Sequence, residues 1–112
     1  MHQLESWVDQ AADGARPVFV GFNAPFDWMY VADYFWRYLG RNPFGISALD
    51  LKSYYMARYA VDRWSKTRRV DIDERLELEP DHSHQALEDA RGQAGLARRL
   101  LAGPPKNAEP EA

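Results

Sequence analysis

The 112-residue chain has no cysteine. That excludes a disulfide framework and a thiolate zinc site, and it fits a reducing, cytoplasmic setting. No apolar run approaches the roughly 18 residues of a membrane span, and the N-terminus lacks a basic-then-apolar leader pattern, so no membrane partner is expected. Positive charge is in deficit, with 14 Lys and Arg against 17 Asp and Glu and a formal charge of −3. Such a chain has no global attraction to nucleic acid, and any such binding must rest on a local patch or on metal ions. Aromatic residues, in contrast, are plentiful: four Trp, six Tyr and five Phe. They argue for a folded globule, and the length of 112 residues for one domain at most, with a modest core.

Leu4, Trp7, Val8, Ala11 and Ala12 recur at helical spacing, and Asp13-Gly14 closes the amphipathic helix they predict. Val18 to Phe22 is a short β-branched and aromatic run between Pro17 and Asn23-Ala24-Pro25, which reads as a buried strand. Pro25 suits the first turn of a helix, with Asn23 or Ala24 as its cap, and apolar residues continue from Phe26 to Leu39 before Gly40 ends it. Asp27 therefore lies in a first helical turn at the carboxyl end of a strand, where open α/β sheets bind ligands. The helix dipole favours an ionised carboxylate there, ready for a cation.

Ile46 to Leu49 predicts a second short strand that delivers Asp50 to its end, and a helix runs on to about Ala60. Asp50 also reads simply as a helix cap. From Asp62 to Pro80 the chain is polar, and Arg63, Lys66, Arg68 and Arg69 lie close together. They read either as a cationic patch for phosphates, with Trp64 as a stacking surface, or as a solvated loop. Val70-Asp71-Ile72-Asp73-Glu74 imitates the Asp-x-Glu of a metal site, yet it is embedded in charge and not in an apolar strand. The last helix is expected from Asp81-His82-Ser83-His84 to about Leu101, with Ala86, Leu87, Ala90, Ala94, Ala97 and Leu101 forming a stripe for close packing. Residues 1–102 then make up the domain, and 103–112 a disordered polar tail.

Two stretches carry a resemblance. Asn23-Ala24, two residues and Asp27, between an apolar strand and an aromatic helix, resemble the second motif of the DEDDh 3′–5′ exonucleases. That family includes polymerase proofreading subunits, ribonuclease T and oligoribonuclease. His84-Gln85-Ala86-Leu87-Glu88-Asp89-Ala90 resembles its third motif, a His five residues before an Asp. The resemblance implies an α/β, ribonuclease H-like fold and hydrolysis of phosphodiesters from a nucleic acid 3′ end, RNA or DNA. It implies two Mg²⁺ or Mn²⁺ ions about 3.5–4 Å apart. Asp27 and Asp89 would be metal-site carboxylates, and His84 the general base that takes a proton from water. Asn23 and Phe26 would line the substrate groove, and Asp50 occupies the place of an Asp that often ends the next strand in the family. Five helical residues turn by about 500°, so His84 and Asp89 lie about 140° apart on one regular helix. His84 is therefore expected at or before the first turn, with Ser83 or Asp81 as cap.

The family's first motif, an Asp-x-Glu on its first strand, has no counterpart before Asn23. The chain reads as an incomplete exonuclease domain with half of the metal ligands, expected to be inactive or very weak alone. The alternative is a non-catalytic, exonuclease-like binding or dimerisation module. The strand at Val18–Phe22 would pair with the absent first strand, so its bare edge and the aromatic helix predict a homodimer or other self-association.

Overall fold

The computed structural model describes residues 1–79 and 85–103. These fall into two compact units, Met1–Asp50 and the residues from Leu51 onward. Among the described residues there are five α-helices and a two-stranded parallel sheet, so the fold is mixed α/β, as expected.

In the first unit, helix α1 spans His2–Ala12 and ends where Asp13 turns left-handed (φ 45°). Strand β1 (Phe19–Gly21) leads through Phe22-Asn23 into α2 (Ala24–Leu39), and β2 (Ala48–Asp50) returns beside β1. The pairing is parallel, with Phe19 opposite Ala48, Val20 opposite Leu49 and Gly21 opposite Asp50. This is a β–α–β unit, the connection that parallel strands require. An aromatic cluster covers one side of β1: Phe19 meets Trp28 at 5.4 Å and Phe44 at 5.5 Å, and the fully buried Phe35 meets Phe44 at 6.2 Å.

Two expectations change here. The strand is shorter than Val18–Phe22 and is not buried on both faces, for Val18 and Val20 remain exposed while Phe19 turns toward α2. Side chains alternate along a strand, so covering one face leaves the other bare. Asn23 does stand at the N-cap of α2, but it is left-handed (φ 56°) and its side chain makes no cap hydrogen bond. Asparagine tolerates this region better than most residues, which lets the strand turn into the helix within two residues.

The second unit is helical among its described residues. Helix α3 covers Leu51–Arg58, a 3₁₀ turn covers Trp64–Lys66, α4 covers Arg69–Leu76 and α5 covers Ala86–Leu101. Its core is Leu51, Tyr55, Tyr59, Val61, Thr67, Ile72, Leu76, Leu96 and Leu100, and α3 lies against α5. The polar stretch after Asp62 is thus no simple loop. Ile72 and Leu76, one turn apart, bury the inner side of α4, and Asp71 accepts the Arg68 backbone N–H at 3.1 Å to close its start.

Helix α5 begins later than expected, with Gln85 at its N-cap. The stripe Ala86, Leu87, Ala90, Ala94 and Leu101 is exposed, and Ala97 is partly so. Leu96 and Leu100 form the buried side instead, in the core of the unit where α5 lies against α3. Gly103 ends α5 in a left-handed turn (φ 82°) beside the Arg58 guanidinium, where an added Cβ would lie 2.7 Å from Nη2. The expected caps Asp81 and Ser83, and the tail from 104 on, lie outside the described residues.

Candidate active site

The parallel strands of the first unit end together, and two carboxylates of this unit, Asp27 and Asp50, lie near that end. Gly21, the last residue of β1, has no side chain to fill the space before α2. A Cβ built there would sit 3.6 Å from the Ala24 Cα and Cβ and 3.7 Å from Asp27 Oδ2. The Asp27 carboxylate therefore lies over the bare end of the strand, one helical turn after Asn23. Asp50, the register partner of Gly21, accepts the Ala24 N–H through Oδ1 at 3.0 Å.

This arrangement closes the α2 N-terminus to anions. Ala24 donates to Asp50, Pro25 has no N–H, and Phe26 donates to the Asn23 carbonyl at 3.2 Å. A phosphate cannot dock on backbone donors already in use. What the terminus holds instead is carboxylate.

Asp27 differs from the other sheltered acids. Buried Glu5 accepts from Arg41 at 2.6 Å, partly buried Asp71 from Arg68 at 2.9 and 3.1 Å, and buried Asp73 from Arg69 at 2.9 Å. The guanidinium hydrogen bonds hold the Glu5 and Asp71 carboxyls below the usual carboxylate range. Asp27 is also partly buried, yet among the described residues its carboxylate has no hydrogen-bond or ion-pair partner. Among the described residues no group of three or more His, Cys, Asp or Glu is placed to hold a metal ion. Asp27 fits a divalent cation as one oxygen ligand, but the described residues do not supply the several oxygens such a hard ion takes.

Asn23 and Phe26 flank Asp27 and are both exposed, Phe26 standing edge-on to Tyr30 at 5.4 Å. Asp89 lies in the first turn of α5, in the second unit, and is exposed. It precedes buried Leu96 by seven residues, which places it on the same side of α5 as the packing leucines. His84 lies outside the described residues.

The four cations meet different surroundings. Lys66 is 3.5 Å from Asp62, Arg68 is held by both oxygens of Asp71, and Arg69 bridges Asp73 and the Gly92 carbonyl. Arg63 is exposed and has no ion pair among the described residues. Trp64 next to it is half exposed, with Lys52 Nζ 4.7 Å from its ring centre. An open groove of about 510 Å³ in the same unit is lined by Tyr55, Val61, Lys66, Asp71, Glu74 and Arg75, so it carries both signs of charge. Reading from sequence missed Asp50 as the partner of Ala24. An Asp ending a strand was the available signal, but only strand pairing shows which helix it serves.

No protein-family model matches the chain. Among known proteins, the 3′-5′ DNA exonuclease Cap18 of Escherichia coli is 44% identical to it over 101 residues. The match takes in 89% of this chain and 54% of that protein, so the chain spans about half the length of this relative.

Proposed function

We propose, from the 44% identity to a 3′-5′ DNA exonuclease over 89% of the chain, that the chain is kin to the 3′–5′ exonucleases and carries part of a metal-dependent site acting on a DNA 3′ end. Asp27 and Asp89 serve as metal-site carboxylates, and His84 as general base. Asn23 and Phe26 line the groove for the terminal nucleotides. The observation that supports this best is the Asp27 carboxylate over the end of β1, half-sheltered and unpaired among the described residues. A sheltered carboxylate that its own fold leaves without a partner is free to take a ligand, and functional sites are where such groups cluster.

Mg²⁺ or Mn²⁺, when bound, would activate water and stabilise the leaving oxygen. Asp27 contributes one fixed oxygen at the positive end of a helix, where its charge is stabilised. His84 accepts the proton of the attacking water as the water oxygen bonds to phosphorus and the 3′ oxygen leaves. Arg63, without an ion pair among the described residues, offers a cation to the backbone, and Trp64 a face for a base. Lys66, Arg68 and Arg69 reach phosphate only by exchanging their carboxylate partners.

Incubating the chain with Mn²⁺ and a labelled single-stranded oligonucleotide tests the reading. Weak or no degradation is expected from these 112 residues, with any activity removed by Asp27→Ala and by Asp89→Ala. Robust degradation that survives both substitutions would overturn the assignment.

A second reading, a binding or dimerisation module, is favoured by the outer face of α2. Phe26, Met29, Tyr30, Tyr34, Trp36 and Tyr38 are each between 44% and 61% exposed there. Self-association through this face should appear in sedimentation over a wide concentration range and weaken in Tyr30→Glu. A monomer at every concentration would rule it out.

A further inference from the structure

The exonuclease reading gives Asp50 no part, yet its carboxylate is the one that closes the helix carrying Asp27. We propose that Asp50 is a positioning residue: delivered by β2, it fixes the first turn of α2 and thereby the height and direction of Asp27 over the end of β1. The consequence for metal binding rests on the reading of Asp27 as a ligand. The positioning itself rests on geometry alone.

The usual capping device is missing from this helix. Asn23 occupies the N-cap position in a left-handed conformation, and its side chain makes no cap bond. Pro25 has no N–H, and Phe26 is already bonded to the Asn23 carbonyl. The Ala24 N–H is left, on a residue only 1% exposed and so out of reach of water. Asp50 Oδ1 takes it at 3.0 Å across 26 residues of sequence. A buried donor needs a partner, and here it comes from the neighbouring strand.

Ala24 and Asp27 are three residues apart and share a side of α2. Both are in van der Waals reach of the Gly21 Cβ position. Any slip of the Ala24 turn therefore moves the Asp27 carboxylate relative to the strand end. The register pair Gly21–Asp50 ties both contacts to one rung of the sheet. Positioning needs an acceptor oxygen, not a charge, and this separates it from metal ligation by Asp50 itself.

The test compares the ¹⁵N,¹³C-labelled chain with Asp50→Asn and Asp50→Ala by NMR. Three quantities are read: exchange of the Ala24 amide, the χ1 couplings of Asp27, and Mn²⁺-induced broadening around Asp27. The carboxamide keeps an oxygen acceptor, so Asp50→Asn should retain a protected Ala24 amide, a single Asp27 rotamer and the parent Mn²⁺ response. In Asp50→Ala the amide should exchange about tenfold faster, the Asp27 couplings should average, and more Mn²⁺ should be needed for the same broadening.

If Asp50→Asn behaves like Asp50→Ala, or if Asp50→Ala changes neither amide nor rotamer, the proposal is overturned. Should Asp50→Ala fail to fold, Asp50→Asn decides alone, since a lost rotamer in a folded chain also overturns it. No broadening in the parent chain removes the ligand reading of Asp27, while the amide and the rotamer still decide positioning.

Discussion

Helix α4 offers the densest carboxylates of the second unit, in Val70-Asp71-Ile72-Asp73-Glu74, whereas the first unit presents Asp27 over the end of β1, with Asp50 of β2 already engaged by the Ala24 N–H. Density alone would favour α4 as a cation site. Its sheltered acids are nevertheless engaged: Asp71 closes the helix and holds Arg68, and Asp73 holds Arg69. Those partners stand three and four residues away, so a helix brings them together automatically. Asp27 has no cation at either spacing, since positions 23, 24, 30 and 31 are Asn, Ala, Tyr and Val. A carboxylate is available to a ligand when its own neighbourhood leaves it unpaired, and not when acids are simply numerous.

The largest effects should come from the two cores. Phe35→Ala, in the first unit, is expected to cost about 3–5 kcal/mol, and Leu96→Ala, in the second, about 2–5 kcal/mol. Amide hydrogen exchange should show the first loss concentrated in residues 1–50 and the second from 51 onward. If either substitution accelerates exchange equally throughout, the two regions do not have separate cores and the comparison breaks.

The contrast between paired and unpaired acids is sharpened by a smaller effect. Asp73→Ala leaves Arg69 without its carboxylate partner and should cost about 1–3 kcal/mol. Asp27→Asn should cost no more than about 1 kcal/mol, the share of the helix dipole. Urea denaturation measures both. An Asp27→Asn loss as large as that of Asp73→Ala would mean that Asp27 is structurally engaged and would remove the main support for its proposed role.

The smallest expected effect is on acid stability. Arg41 and Arg68 hold Glu5 and Asp71 below the ordinary carboxylate range, so both groups release protons more readily folded than unfolded. Their contribution is present above the unfolded carboxylate value, near about 4, and is lost as pH falls through the depressed folded value. Glu5→Gln and Asp71→Asn should each flatten part of the acid limb of a stability–pH curve. Carboxyl titration followed by NMR checks the sign, and a Glu5 midpoint at or above the ordinary value would contradict it.

Several elements were legible from short-range rules. Helix α1 ends at Asp13 and α2 at Gly40, both left-handed, and β2 delivers Asp50 as its spacing predicts. The placement of Asp27 in a first helical turn after a strand was likewise readable, because Pro25 and the β-branched run before it act locally. The α4 helix was not, since charge at 68, 69, 71, 73, 74 and 75 hides the single buried pair Ile72 and Leu76.

By itself, then, the sequence determined where α1 and α2 end and that Asp27 stands in a first helical turn after a strand, because capping, turn and periodicity rules act within three or four residues. The tertiary structure alone decided that Leu96 and Leu100, and not the alanine stripe, bury the inner side of α5, and that Asp50 closes α2 across 26 residues. Both depend on which element lies alongside, and a contact between elements leaves no trace in the local spacing of either.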